Sequence, residues 1–139
     1  MRVLRAYSVT WGHDPSDPSG QQTAMVRTWR QLVAVLDQLT ATGPWLLMMY
    51  PGRWSHGDGD PPHAMQLVWG HPQRAAMTWL GEDAADAVDP DLLPWSHDIG
   101  HDQDAASPRR TRVTPEQVRA ALREYLRTGR RPKCVTWVE

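Results

Sequence analysis

The chain has 139 residues, of which 40% are hydrophobic and 22% charged, and its net charge at pH 7 is −1. That balance is typical of one globular domain with a sizeable core and excludes a disordered chain. The sequence has no run of 18 apolar residues, it begins without the apolar segment of a signal peptide, and its single cysteine cannot form an intrachain disulfide. We therefore expect a cytoplasmic protein without a membrane span.

The first part of the chain predicts a strand followed by a helix. Residues 3–11 carry several β-favouring side chains, and residues 13–22 are rich in turn-forming Asp, Pro, Ser and Gly. Thr28 and Gln31 have the spacing of a capping box. Leucine and valine then recur at helical spacing, so we predict a helix over residues 29–41 that a Gly-Pro pair ends.

The middle of the chain predicts three strands and then a long irregular segment. Residues 45–50 form a continuous apolar run between two prolines, which is typical of a central strand covered on both faces. Residues 65–69 and 75–80 predict the two strands of a hairpin. Residues 81–108 hold little regular pattern apart from a candidate short strand over residues 92–95. A segment of that kind in a compact domain is usually functional or disordered.

The last part of the chain predicts a capped helix and a closing strand. Thr114 and Gln117 have the spacing of a second capping box, and Gly129 supplies the left-handed residue that commonly ends a helix. Residues 134–138 predict a short strand, in which we expect Cys134 to be a small buried core residue rather than a nucleophile. The apolar positions of the helix share one face: Val118, Ala121, Leu122, Tyr125 and Leu126.

Together these elements predict an α+β fold, in which two helices pack on an antiparallel sheet of five to six strands. Residues 111–113 are a further candidate strand before the second helix. We expect the whole chain, residues 1–139, to form one domain, with the irregular acidic segment 81–108 inserted before the C-terminal helix.

Charge is distributed unevenly along the chain. Residues 1–80 carry a net charge of +1, residues 81–108 carry −8 without any Lys or Arg, and residues 109–139 carry +6. Such a separation gives a compact domain a strongly negative lobe. The segment is either a solubilising loop or a surface for a basic partner, whose encounter complementary charge would accelerate. Its acidic residues are Glu82, Asp83, Asp86, Asp89, Asp91, Asp98, Asp102 and Asp104.

Two of the eight tryptophans, Trp54 and Trp95, fall in predicted loops beside acidic residues. An exposed tryptophan in such a place is typical of a hot spot in a protein–protein interface, and the alternative is a ring packed onto the edge of the domain. Asp58 and Asp60 lie close to Trp54. They indicate a turn rather than a calcium loop, because the further oxygen ligands and the distal Glu of a calcium loop are missing.

One pattern suggests catalysis. His97 and His101 stand four residues apart with Asp98 between them, which imitates the helical motif of zinc proteases. Gly100 and the nearby Pro94 disfavour the helix that would bring the two rings to one side, and the ligand set is incomplete. A small metal-dependent hydrolase using these residues stays an alternative. Otherwise the sequence predicts no catalytic residue, metal or cofactor.

The final helix carries Arg119, Arg123 and Arg127 at spacings of four residues, with Arg130 and Arg131 beyond it. This spacing predicts a positive stripe on the outer, solvated face of the helix. A nucleic-acid-binding module using the stripe is the second alternative. The acidic segment nearby argues against it, because its carboxylates would repel phosphates.

The C-terminal stretch resembles the end of a known family. Thr114-Pro115-Glu116, the amphipathic helix and the pattern Gly129-x-x-Pro132-x-x-x-x-Trp137 are similar to the close of the first immunity-protein family of bacterial polymorphic toxin systems. The helix that begins at Thr28 and the hairpin around Gly70-His71-Pro72 sit where that family would have them. The resemblance covers residues 26–139.

The resemblance implies a small α+β protein that binds a secreted toxin and blocks it in the producing cell. Toxins of such systems are often nucleic-acid deaminases or nucleases, and their inhibitors bring no catalytic residues. Independently, a segment of net charge −8 is a plausible phosphate mimic for the basic cleft of such a toxin. We therefore expect an inhibitor, not an enzyme, that occludes the toxin's active site through residues 81–108 with help from Trp54, Asp58 and Asp60.

Overall fold

The computed structural model describes residues 5–12, 20–53, 63–95 and 111–139. Over these residues, two helices and one antiparallel sheet of seven strands confirm the predicted α+β fold, with one strand more than the upper end of the expected range. The elements are β1 (Tyr7–Trp11), β2 (Gln22–Val26), α1 (Trp29–Thr42), β3 (Trp45–Pro51), β4 (His63–Trp69), β5 (Ala76–Gly81), β6 (Ala85–Val88), α2 (Pro115–Thr128) and β7 (Thr136–Val138). The strands lie in the order β2-β1-β3-β4-β5-β6-β7, and each neighbouring pair is antiparallel.

Both helices begin at the predicted capping boxes. The backbone N–H of Gln31 donates to Thr28 Oγ1 at 3.2 Å, and that of Gln117 donates to Thr114 Oγ1 at 3.2 Å. Gly129 ends α2 with φ +69°, and its N–H donates to the Tyr125 carbonyl at 2.7 Å. The local signals therefore place both ends of α2 correctly, because satisfying the first N–H groups and last carbonyls requires these residue types.

The two faces of the sheet differ. Alternate residues of a strand point to opposite faces, and both helices cover the same face. Leu47 and Met49 of β3 lie against the helices and are at most 1% exposed. Leu46 and Met48 point the other way and are only half-buried. The strand predicted over residues 45–50 is confirmed, and the cover expected on both faces or nearly so is complete against the helices and partial on the opposite face.

Two observed strands, β2 and β6, were not predicted. β2 is an edge strand with exposed polar residues at its start, and β6 is a four-residue strand with small apolar residues and one aspartate, so neither carries a strong apolar alternation. The strand predicted over residues 92–95 is wrong, because these residues form no ladder. Residues 111–113 contribute only an isolated bridge between Val113 and Ala75.

The closing strand is shorter than predicted. β7 pairs with Asp86–Val88 of β6, and the ladder ends where β6 ends, so Cys134 lies before the strand. Cys134 is exposed, and the prediction of a buried core cysteine is therefore wrong. At the other end of the chain, β1 begins at Tyr7, later than predicted, and residues 3 and 4 of the predicted strand lie outside the described residues.

Candidate functional site

The acidic segment is more ordered than its sequence suggests. Asp86 lies within β6, on the sheet face opposite the helices, and its Oδ1 accepts a hydrogen bond from Thr78 Oγ1 at 2.6 Å. The prediction of an irregular segment is therefore wrong for Ala85–Val88. The cause is sheet pairing with β5 and β7, which local sequence does not reveal.

Glu82 and Asp83 occupy the turn between β5 and β6, and both are exposed. Asp83 has φ +59°, the left-handed conformation that aspartate tolerates better than most residues. Its carbonyl accepts a hydrogen bond from Arg131 Nη1 at 3.0 Å. The turn therefore has a defined backbone, and both carboxylates stand at the surface.

Asp89 connects the end of β6 to the start of α2. Gln117 Nε2 donates to Asp89 Oδ2 at 2.6 Å, and the Asp91 N–H donates to Asp89 Oδ1 at 2.9 Å. These two hydrogen bonds, with smaller contributions from the charges of Arg112 and Arg74, lower the pKa of the Asp89 carboxyl. Both carboxylate oxygens are used within the chain, so Asp89 supports the segment around it.

Two arginines fix the backbone that follows Asp89. Arg74 Nη1 donates to the carbonyls of Leu93 at 2.7 Å and Thr111 at 3.0 Å, and Arg112 Nε donates to the Leu92 carbonyl at 3.0 Å. The side chain of Leu93 is nevertheless 79% exposed, the highest value for a large apolar residue in the described part of the chain. Sequence reasoning missed Leu93, because nothing local distinguishes it from the half-buried Leu92 beside it.

Trp95 is half-buried rather than fully exposed. Its ring packs against Val68 and Ala76 on the sheet face opposite the helices. The Arg74 guanidinium lies 4.8 Å from the ring centroid, and the His71 ring meets it edge-on at 5.5 Å. Of the two interpretations of this residue, the ring packed onto the domain edge describes Trp95 better.

The surface residues around β6 form one elongated region, which we call the acidic surface. Asp83 lies in the turn before β6 and Asp89 directly follows the strand, which itself spans roughly 13 Å. The members of the acidic surface are the exposed Glu82, Asp83, Asp91 and Leu93 and the half-buried Asp86. The other expected contact residues, Trp54, Asp58, Asp60, Asp98, Asp102 and Asp104, lie outside the described residues, as do His97 and His101 of the hydrolase alternative.

The arginine stripe of α2 is exposed at Arg123 and Arg127, as predicted, and half-buried at Arg119. Arg119 Nη2 lies 3.0 Å from Asp37 Oδ1 of α1, and its guanidinium stands 5.1 Å from the Trp69 ring centroid. Arg123 lies over the Trp29 ring of α1 at 5.8 Å. Arg119 and Arg123 therefore lie on the side of α2 next to α1, where a carboxylate and an aromatic ring attract their guanidinium groups.

A cleft of about 720 Å³ lies between the start of α1 and the middle of α2. Four arginines, Arg27, Arg119, Arg123 and Arg127, stand around it, and the carboxylate of Glu124, which also lines it, accepts a hydrogen bond from the Lys133 N–H. The apolar part of its lining includes Trp29, Ala120 and Leu126. We call this region the basic cleft.

A buried polar network lies beneath the C-terminal end of α2. His63 Nε2 is 2.9 Å from Tyr125 Oη, and Tyr7 Oη donates to the Tyr125 carbonyl at 3.0 Å. The His63 ring stacks on Trp79 with a centroid distance of 4.6 Å. Burial lowers the pKa of His63, and burial together with Tyr7 raises the pKa of Tyr125. These groups join the helix to the sheet.

The described residues offer little support for a metal site, a reactive thiol or a membrane-spanning helix. Within residues 5–12, 20–53, 63–95 and 111–139, no three His, Cys, Asp or Glu side chains come together as a metal site. Desolvation, and then the neighbouring Glu124, raises the pKa of the Cys134 thiol, which disfavours the reactive thiolate. The described helices are too short or too polar to cross a membrane.

Comparison with known proteins places the chain in a family. The family described as Immunity protein Imm1 matches residues 20–139. The match spans every described element from β2 to β7, including both capped helices and β6. Searches of curated proteins and of solved structures returned no match. Because the family match covers most of the sequence, the chain belongs to the Imm1 family of immunity proteins.

Proposed function

We propose that this protein binds a cognate secreted toxin and neutralises it by covering the toxin's active site with the acidic surface. Membership of an immunity-protein family supports the inhibitory role. In this proposal the protein acts in the cytoplasm of the producing cell by binding alone, without catalysis or a cofactor. The toxin is a basic protein that acts on nucleic acid, such as a deaminase or a nuclease.

The observation that carries the proposal is the position of Leu93. An interface hot spot needs an apolar side chain that is exposed in the free protein and held in place before binding. Leu93 is 79% exposed, while Arg74 and Arg112 hold the carbonyls of Leu93 and Leu92. The entropy cost of ordering this segment is therefore largely met before the toxin arrives.

The charges around Leu93 support a basic partner. Asp91 lies two residues before it, Asp86 lies within β6, and Glu82 and Asp83 extend the negative region into the turn before β6. A cleft that binds nucleic acid must present Lys or Arg to phosphates, and carboxylates at similar positions satisfy the same groups. A leucine among carboxylates also matches the usual interface, with an apolar centre and a polar rim.

A stable complex buries about 800 Å² on each partner, or about 20–30 residues a side, whereas the acidic surface has five members. We therefore extend the proposed interface to the remaining acidic residues and to the second loop tryptophan. These additional contact residues are Trp54, Asp58, Asp60, Asp98, Asp102 and Asp104, with Asp89 and Trp95 supporting the segment from within.

The test is a binding measurement with the purified toxin domain encoded next to this chain. We expect Leu93→Ala to weaken binding by about tenfold or more, mostly through faster dissociation, because a buried anchor is lost. Thermal stability should stay close to wild type, since the leucine side chain is already in water. Gln38→Ala is the control, because it truncates an exposed side chain of similar size on α1, on the opposite side of the sheet from the acidic surface.

Equal affinities for Leu93→Ala and wild type would remove the acidic surface from the toxin interface. Inhibition assays must agree with the binding data. If Leu93→Ala binds weakly but inhibits fully at saturation, the occlusion mechanism holds and only the affinity has changed.

A further inference from the structure

The basic cleft has no role in the proposed function, and the repulsion between its arginines destabilises the helix that carries them. Arg119, Arg123 and Arg127 are like charges at i, i+4 spacing, which destabilises an isolated helix. Within the described part of the chain, Asp37 is the carboxylate that forms a salt bridge with one of them. Arg27 adds a fourth guanidinium at the start of α1, where the helix dipole is also positive. An anionic partner would relieve this repulsion.

The lining of the cleft indicates what such a partner must carry. Guanidinium groups stand around it, and Trp29, Ala120 and Leu126 supply apolar surface between them. A phosphate-rich polymer satisfies the arginines but not the aliphatic side chains. A protein segment that presents a leucine together with carboxylates satisfies both parts.

This chain itself presents such a segment. In the acidic surface, an exposed Leu93 stands near Asp91 on a backbone that Arg74 and Arg112 hold in place. The segment continues to Trp95 on the sheet face opposite the helices, whereas the basic cleft lies between the helices on the other face. One molecule therefore cannot place its own Leu93 in its own cleft.

We propose that the basic cleft docks the acidic surface of a second copy of this chain. The net charge of −1 favours such contact, because oppositely charged regions on one molecule attract while the whole molecules repel little. The contact is head to tail, since two different surfaces meet, so each added copy leaves one cleft and one acidic surface open. In the free protein, docking covers Leu93. The further consequence, competition between self-docking and toxin, rests on the proposed function.

Sedimentation velocity on the purified full chain tests the proposal. At about 50 mM salt we expect the average mass to rise above 15.8 kDa as protein concentration increases. At about 500 mM salt the association constant should fall by about tenfold or more, because exposed charge pairs are screened. A wild-type protein that stays monomeric at every concentration in low salt overturns the proposal.

A mixing experiment tests the two surfaces separately. The cleft variant combines Arg27→Glu with Arg123→Glu, and the acidic-surface variant combines Asp91→Lys with Leu93→Ala. Each variant alone should be monomeric, because both copies lack the same surface. Their mixture should form a 1:1 heterodimer and nothing larger, because one intact cleft and one intact acidic surface remain. A mixture that stays monomeric, or single variants that associate like wild type, would refute the docking mode.

Arg30→Glu is the matched control. Combined with Arg130→Glu, it makes the same total charge change as the cleft variant, on exposed residues that do not line the cleft, and should associate like wild type. Circular dichroism and thermal melting confirm that each variant is folded. A single-stranded oligonucleotide that binds wild type but not the cleft variant, while the protein stays monomeric, would assign the cleft to nucleic acid and overturn self-docking.

Toxin binding separates this inference from the proposed function. The cleft variant should bind toxin at least as tightly as wild type, because its acidic surface is intact and no second copy covers it. Failure of Leu93→Ala to weaken toxin binding sinks the proposed function but leaves the mixing experiment unaffected.

Discussion

Single residues differ in how far their roles follow from the sequence. Thr28, Thr114 and Gly129 act as predicted, because capping depends on the few residues around a helix end. The exposure of Leu93 and the orientation of Arg119 depend on residues more than eighteen positions away, and local pattern carries no information about them. The contact of His63 likewise does not follow from local sequence, since its partner Tyr125 is 62 residues distant.

His63 should make stability depend on pH. Burial lowers its folded-state pKa below about 6.5, the value expected in the unfolded chain. The unfolded state then binds more protons than the folded state in acid, so the His63 contribution is complete above pH 6.5 and is lost as pH falls below it. We expect urea denaturation of wild type to show falling stability from about pH 7.5 to 5.5, and His63→Gln to show a shallower fall. Parallel curves for the two proteins would contradict this assignment.

At the scale of elements, Gln117 links a helix cap to the acidic segment. Its Oε1 accepts from the Thr114 N–H at 2.9 Å, while its Nε2 donates to Asp89 Oδ2. The first contact follows from the capping-box spacing. The second does not, because it requires knowing that β6 ends beside the start of α2.

Gln117→Glu should separate these two roles. Glutamate still caps α2, but it cannot donate to Asp89 and places a second negative charge beside it, which raises the pKa of the Asp89 carboxyl. We expect faster amide hydrogen exchange at Asp91 and Leu92, with little change in the middle of α2. Adding Asp89→Asn to Gln117→Glu replaces the second carboxylate by a neutral amide. This change should restore the protection of these two amides from hydrogen exchange. Uniform loss of protection throughout α2 would show that the cap itself had failed.

The strands differ in how strongly their own residues specify them. β3, β4 and β5 have strong apolar patterns and were predicted, because they build the centre of the core. β2 and β6 have weak patterns and form through pairing with neighbours already in the sheet. The candidate site was only partly predictable for the same reason: its acidic composition is visible in the sequence, but its arrangement along β6 is not.

At the scale of the whole molecule, charge is separated between two faces. The acidic surface follows β6 and the segment after it, and the basic cleft lies between the helices. Segment charges of −8 and +6 predicted a polar field, and among the described residues the acidic surface and the basic cleft lie on opposite sides of the sheet. In the proposed complex, this separation would let electrostatic attraction orient an approaching toxin before any contact forms.

The rate of toxin association should depend on the electric field that the separated charges produce. Replacing Glu82, Asp83 and Asp91 by Asn and Gln equivalents should slow association at low salt by about tenfold and flatten its salt dependence, with a smaller change in dissociation. Glu116→Gln, an exposed acid in the first turn of α2, is the control for net charge alone. Equal association rates at low salt would limit these carboxylates to a solubilising role.

The contacts of Arg74 have a mechanical consequence. This one side chain joins the turn between β4 and β5 to Leu93, to the Thr111 carbonyl ahead of α2 and to the Trp95 ring. A force on Leu93 during dissociation of a partner is thus transmitted to the β4–β5 hairpin at the centre of the sheet, because the segment around Leu93 is not a flexible loop. The lifetime of a complex made through Leu93 is consequently tied to the rigidity of the β4–β5 turn, a part of the molecule that the partner need not touch.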